Sequence, residues 1–344
     1  MKDQRDLRKH PMARGCMRAV LAVVLAVVFT IAGSPAMAKH NDSGKDEDSH
    51  ACQKTSKAAL TACKNSATSD YWLAVGACDN ISDRQERKSC LDDARSSQKE
   101  DLQTCSDQFD ARQEVCQELG GGPYDPDIDP ANFSSDITND FFPLPPAGGN
   151  TLTYKSTAPN GDIQTNVVTV KGTTTINGFA CRAVTDKAYK GTDTSTSGIL
   201  LEDTIDWFSQ DTDGNVWYFG ETTIAYTYDD AGNPSASAEG SWMAGKDNAK
   251  PGIIMLANPG GQLGKLYRQE FSLGTAEDLG RVIDIVDGVQ AGGKAYNGCV
   301  HTQDSSPLEP GVIEDKYYAP GVGLVLTLDP DGTREELISI TTTP

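Results

Sequence analysis

A chain of 344 residues is long enough for two domains, and a formal net charge of −19 limits what its surface can touch. Phosphate repels such a surface, which excludes nucleic acid and anionic membranes as partners. With nine cysteines against four histidines, the composition favours staples over imidazole chemistry.

Residues 1–38 read as a signal peptide. Lys2, Arg5, Arg8, Lys9, Arg14 and Arg18 form a basic start. Residues 19–31 are an apolar run too short to span a bilayer comfortably, and Ala36-Met37-Ala38 is an A-x-A cleavage site. Cys16 precedes the apolar run, which argues against lipidation. The expected mature chain starts near Lys39, is periplasmic or extracellular, and has no membrane span. The leader holds six basic and two acidic residues, so the remainder is more acidic still. Residues 39–50 carry His40, Asp42, Asp46, Glu47, Asp48 and His50, an acidic tail expected to be disordered, with weak copper or zinc capture as the alternative.

Residues 51–119 hold Cys52, Cys63, Cys78, Cys90, Cys105 and Cys116 in a polar stretch rich in Ala, Lys, Gln and Glu, which favours helix. There is no C-x2-C or C-x-x-C spacing for zinc or redox work, and an even cysteine count in an exported chain reads as a disulfide framework. Successive intervals are 11, 15, 12, 15 and 11, a palindrome. Residues facing each other in an antiparallel hairpin have a constant index sum, which pairs Cys52 with Cys116, Cys63 with Cys105 and Cys78 with Cys90. A local Cys63–Cys78 bridge stays open as the alternative. Ser82 with Gln85 suggests a capping box opening a helix that runs to Glu118, stopped by Gly120-Gly121-Gly122-Pro123. Asp79-Asn80-Ile81 would be the turn. A second break is expected over residues 66–70, with Ser69 capping a short helix on which Trp72 and Leu73 supply apolar contacts.

Residues 120–150 are rich in Gly, Pro and Asp and read as a linker or extended arm. Within them Asp125, Asp127 and Asp129 alternate. Carboxylates suit calcium, but the prolines at 126 and 130 break the calcium-loop pattern and a turn-rich linker is the simpler reading.

From 151 to 344 the pattern is β: "TNVVTV", "ILLEDTIDWF", "NVWYFGE", "KLYRQEF" and "GLVLTL" are short β-branched and aromatic runs separated by turn clusters. About ten to twelve antiparallel strands fit. The expected architecture is α+β and multidomain, a disulfide-stapled antiparallel α-hairpin followed by a mainly antiparallel β domain, as a twisted sheet, half-barrel or barrel. Cys181 and Cys299 lie in predicted strands and are expected to bridge an early strand to a late one, with two buried free thiols as the alternative.

Five segments taken together, "YDPDIDPANF" at 124–133, "FFPLPP" at 141–146, "EDTIDWFSQDTDGNVWYFGE" at 202–221, "AKPGIIM" at 249–255 and "YYAPGVGLV" at 317–325, resemble a family of uncharacterised secreted bacterial proteins. The likeness covers roughly residues 124–340 and leaves the cysteine-rich segment as an N-terminal extension. It implies an exported bacterial β domain and transfers no catalytic residue. "YYAPGVGLV" also looks like the late strands of periplasmic proteins with an open, half-barrel sheet, a likeness of fold alone.

Catalytic signatures are thin. His301 has no nucleophile pattern nearby and reads as a surface histidine; no G-x-S-x-G occurs, and Ser96-x-x-Lys99 lacks partner motifs. The turn at Asp211, Asp213, Gly214 and Asn215 reads as a plain hairpin. The richest material is on one hairpin. Leu201, Asp203, Ile205 and Trp207 share one face of a strand, Glu202, Thr204, Asp206 and Phe208 the other, and Trp217, Phe219 and Glu221 follow on the next. Acids mixed with aromatics suit a sugar, a cation or an amphiphile, or, as a carboxylate pair, glycoside hydrolysis; core packing with wet edges is the structural alternative. Asp203, Asp206, Trp207, Trp217, Glu221 and Trp242 are therefore the candidate ligand-binding residues. The expected function is a non-enzymatic exported binding or scaffold module for a small or amphiphilic ligand or a cell-surface partner, with no cofactor. A carboxylate-dependent hydrolase of a cell-surface polymer is the first alternative, extracellular metal binding the second.

Overall fold

The computed structural model describes residues 49–144 and 150–342. The expected signal peptide and nearly all of the acidic tail lie outside the described residues.

The described residues begin with two helices, α1 (Ala51–Asp79) and α2 (Arg84–Leu119). Their facing seam is narrow. Ala59, Ala67 and Ala94 are buried with Cys78, Cys105 and Cys116, so small side chains let the helices approach closely enough for Cys52–Cys116, Cys63–Cys105 and Cys78–Cys90 to close. The local Cys63–Cys78 alternative is overturned, because fifteen residues of one helix rise roughly 22 Å. The break expected at 66–70 does not occur. Thr68 Oγ1 donates to the Lys64 carbonyl, and the hydroxyls of Thr55, Ser56 and Thr61 likewise bond four residues back, so these side chains are satisfied inside a continuous helix. Trp72 and Leu73 point to water, 63% and 70% exposed, and supply no core. The N-cap of α2 is Asp83, not Ser82; its carboxylate accepts from the backbone N–H of Gln85 and Glu86, each at 2.8 Å.

Residues 120–144 are a strap laid on the β domain. Tyr124 donates to the Pro251 carbonyl, and a short turn at Pro130–Asn132 leads into β1 (Phe133–Ser134). Asn139 ties the strap down by donating to the carbonyls of Gly214 and Leu256. Ile137 and Leu144 enter the core.

The sheet then builds in order: β2 (Asn150–Thr157), β3 (Ile163–Ile176), β4 (Phe179–Lys190), β5 (Leu200–Asp211), β6 (Val216–Tyr228), β7 (Pro234–Ser237), β8 (Trp242–Met243) and β9 (Lys250–Met255). The next five strands are β10 (Leu266–Arg268), β11 (Glu270–Phe271), β12 (Leu279–Val286), β13 (Val289–Ala291) and β14 (Lys294–Tyr296). β15 (Cys299–Ser305), β16 (Ile313–Ala319), β17 (Gly323–Leu328) and β18 (Arg334–Thr342) complete it, while β13 and β14 pair with each other in a separate hairpin. Among the described residues one antiparallel sheet of 16 strands runs in the order β10-β12-β15-β16-β17-β18-β2-β3-β4-β5-β6-β9-β11, with β1, β7 and β8 as side pairings. β10 also lies against β9, so the two ends meet and the sheet is nearly a closed barrel. The expected fold class holds; several strands are shorter, and the count higher, than the sequence suggested.

Cys181 and Cys299 are both free and buried, which corrects the expected bridge. Cys181 packs with Phe179, Val184 and Trp217, whereas Cys299 packs with Val289, Ala319 and Val325 in a separate cluster.

Candidate functional site: an acid-lined inner face

Cross-strand register fixes which side chains look into the barrel, because residues directly opposite share a face. Val184 faces Asp206 and Asp206 faces Glu221; Asp186 faces Thr204 and Thr204 faces Thr223. On the far side Glu335 faces Thr327, Thr327 faces Lys316, and Glu314 faces Asp304. Continued through β2 and β3, the same alternation puts all of these on the inner face. The interior of this barrel is thus lined with carboxyls, and Lys316 answers them at one end with contacts of 2.9 Å to Asp304 and 3.2 Å to Glu314.

The tightest group is Asp206, Tyr218 and Glu221. The Tyr218 hydroxyl lies 2.7 Å from Asp206 Oδ1 and 3.1 Å from Glu221 Oε2. A bulge between Trp207 and Phe208 brings Tyr218 into this position. Opposite it, Gly220 adopts φ +128°, and a Cβ there would collide with the Trp242 carbonyl. Phe208 stacks on the Tyr218 ring at 4.9 Å and Trp242 meets it edge-on at 5.5 Å. A phenol has one proton, so it donates to only one of the two acids; the other contact is a hydrogen bond when that carboxyl is protonated and donates to the phenol oxygen.

The electrostatics agree with that sharing. Burial pushes Asp206 well above the usual carboxylate range, with the Tyr218 hydrogen bond opposing it and the charges of Glu221 and Asp186 adding to it. Burial likewise raises Glu221 to about 7 and Asp186 to about 7, the latter helped by Glu335 and Glu202. Glu270 is raised well above its ordinary value by burial and by Asp278. Lys316 shows the opposite balance: burial would strip its proton, but Asp304, Tyr318 and Glu314 outweigh that and hold it raised. Two polar atoms on this face, Asp186 Oδ1 and Thr327 Oγ1, are buried without a hydrogen-bond partner among the described residues, and the indole N–H of Trp242 is turned to Glu270. Asp206, Asp186 and Glu221 nonetheless keep partial exposure as residues.

Of the six candidate residues, the structure brings together Asp206, Glu221 and Trp242. Asp203 lies on the outer face and pairs with Lys187 at 2.6 Å. Trp207 is on that face too, packed half-buried against the core. Trp217 is core: it is 8% exposed, sits edge-on to Phe133 and donates its indole N–H to Asp211 Oδ2 at 2.8 Å. The alternating aspartates diverge. Asp125 pairs with Lys250, Asp129 caps the turn at Ala131, and Asp127 is exposed. His301 bridges Asp284 (2.9 Å) and Asp315 (2.7 Å) and stacks on Tyr317, a more engaged position than a plain surface histidine. Sequence reasoning missed Tyr218, Asp186, Glu335 and Lys316. The available signal was an acid at an inward position between apolar neighbours, as with Asp186 between Val184 and Ala188.

No family model matches the chain, and no curated protein is similar to it. Three solved structures share some of its course. A candidate exported protein with a YmcC-like fold from Bacteroides fragilis is 12% identical with a TM-score of 0.35, covering 59% of this chain and 100% of its own. A candidate lipoprotein from Parabacteroides distasonis is 13% identical with a TM-score of 0.31, covering 59% and 99%. A β-barrel-like protein from Brucella abortus, of a domain of unknown function, is 9% identical with a TM-score of 0.29, covering 58% and 99%. Among the described residues no helix is long and apolar enough to cross a membrane.

Proposed function

We propose that this chain is an exported, non-enzymatic binding module whose barrel interior captures an organic cation. The observation that carries the reading is the Asp206–Tyr218–Glu221 group, two acids on one hydroxyl, walled by Phe208 and Trp242. An ammonium brought to that point replaces the shared proton, and aromatic faces favour a cation beside them. The three disulfides fit an oxidising compartment, and the leader and the likeness to secreted bacterial proteins support export to the periplasm or the medium.

The hydrolase alternative has one supporting observation. Both acids reach the same hydroxyl, so the two contacting oxygens are at most about 6 Å apart, a limit that admits the roughly 5–5.5 Å of retaining glycosidases. Such an enzyme needs one carboxylate ionised as nucleophile, whereas burial raises both acids here. The third alternative, metal binding, has less support: no group of three or more His, Cys, Asp or Glu comes together as a metal site among the described residues.

Calorimetric titration with benzylammonium, on the disulfide-intact protein, tests the reading. Binding is expected to tighten from pH 5 to pH 8 and to weaken about tenfold in Asp206→Asn and Glu221→Gln. Polysaccharide turnover that is lost in the same folded variants would establish the hydrolase instead.

A further inference from the structure

The second site lies where the helical hairpin meets the sheet, away from the inner face. A cavity of about 200 Å³ opens there between the start of α1, the end of α2, the strap and the strand β10. Its walls are largely apolar, with Val115, Leu119, Tyr124, Phe271 and Leu273 among them.

Two arginines and one glutamate line it, in unequal states. Arg112 and Glu277 are spent on each other: Nε and Nη2 of Arg112 hold both carboxylate oxygens at 2.8–3.2 Å, and the Gly274 backbone N–H adds a third donor at 2.8 Å. Arg268 is not spent. Its guanidinium lies 5.4 Å from the centre of the Tyr124 ring and 4.8 Å from that of Phe271. Among the described residues it forms no hydrogen bond and no ion pair. The phenol of Tyr124 does not compete for it, being committed to the Pro251 carbonyl. Arg268 is half-buried, and burial lowers the affinity of its guanidinium for its proton against the opposing charge of Glu277, the mark of a cation with less water around it than it would have on an open surface. The two ring faces hold it in place and leave its N–H edge, a fork suited to a carboxylate, unoccupied by protein.

With Glu277 neutralised by Arg112, the formal charge of the cavity is positive, in a chain that is otherwise strongly acidic. The volume sets the size of what enters. A cavity of about 150 Å³ takes benzene, so this one takes a ring or short chain bearing a single acid group. We infer that this seam is a binding site for a small carboxylate with an apolar body, which Arg268 holds by its acid and Val115, Leu119 and Phe271 hold by its body. The site is independent of the cation reading of the barrel interior and has the opposite charge preference.

Benzoate is the probe, with benzyl alcohol as the uncharged control, on the oxidised protein from about residue 39 onward. Benzoate is expected to bind saturably, benzyl alcohol about tenfold more weakly or worse, and Arg268→Gln to lose at least about tenfold in benzoate affinity. Asp206→Asn and Glu221→Gln, which lie inside the barrel, should leave benzoate binding unchanged. If Arg268→Gln does not fold, the wild-type protein decides: the Arg268 Nε–H resonance must move on adding benzoate. Absence of saturable binding, equal affinity for benzyl alcohol, unchanged affinity in folded Arg268→Gln, loss of binding in the barrel variants, or an unmoved Arg268 resonance would each overturn the assignment.

Discussion

Arg112 on α2 and Glu277, between β11 and β12, form a two-nitrogen, two-oxygen ion pair in which both side chains are almost wholly removed from water. It is a deeply buried contact across the seam, and two more exposed ones accompany it: Arg281 with Glu118, and Gln108 donating to the Leu308 carbonyl. Removing one partner of such a pair strands the other charge, which costs about 3–5 kcal/mol, whereas replacing both by apolar residues of similar volume is often neutral. Glu277→Ala is therefore expected to destabilise the oxidised protein by about that amount in urea, and Arg112→Met with Glu277→Leu to recover most of it. A Glu277→Ala protein within about 1 kcal/mol of wild type would show that hairpin and sheet do not depend on this pair.

Trp217 gives a second test, of stability rather than binding. Its ring is enclosed with Phe133, Phe179 and Phe219, and its N–H is used by Asp211. Trp217→Ala should cost about 3–5 kcal/mol through the cavity it leaves and the acceptor it abandons. Trp217→Phe should cost less, and neither should alter benzylammonium affinity in protein that remains folded. A several-fold loss of that affinity in folded Trp217→Phe would return the residue to the binding site.

What was legible in the sequence was whatever repeats at short range. The cysteine palindrome specifies the hairpin pairings because an antiparallel helix pair has one register, and the alternation in 202–208 places Asp203 and Asp206 on opposite faces as found. Long-range partnership was not legible. Asp186, Asp206, Glu221 and Glu335 converge only because β18 pairs with β2, closing a path through the sheet that no local pattern announces. The same gap explains Trp217 and Cys181: the strap that covers them comes from a Pro- and Gly-rich stretch that looks like a linker until Asn139 and β1 dock it. Ser82 lost to Asp83 by a single position, since both residues can cap and only the turn geometry chooses.

The inner acids make the stability of the empty protein fall as pH rises. Glu221 and Asp186 have folded values of about 7, against ordinary values of 4.5 and 3.8. Between those limits the folded state holds protons that the unfolded chain has released. Stability therefore declines with pH across that window, being fully supported below the ordinary values and lost as pH passes through about 7. Asp329, raised to about 6 by burial, contributes in the same direction over a narrower range. The melting temperature should consequently be higher at pH 5 than at pH 8. Glu221→Gln and Asp206→Asn mimic the protonated acids in shape and hydrogen bonding, so each should flatten the profile and raise the melting temperature at pH 8. Saturating benzylammonium should act most strongly at the same alkaline end, because it supplies the positive charge that the departing protons remove. A profile that rises from pH 5 to pH 8, or variants whose profiles run parallel to the wild type, would mean that the carboxyls of the barrel interior are ionised at neutral pH and that the shared proton on Tyr218 does not exist.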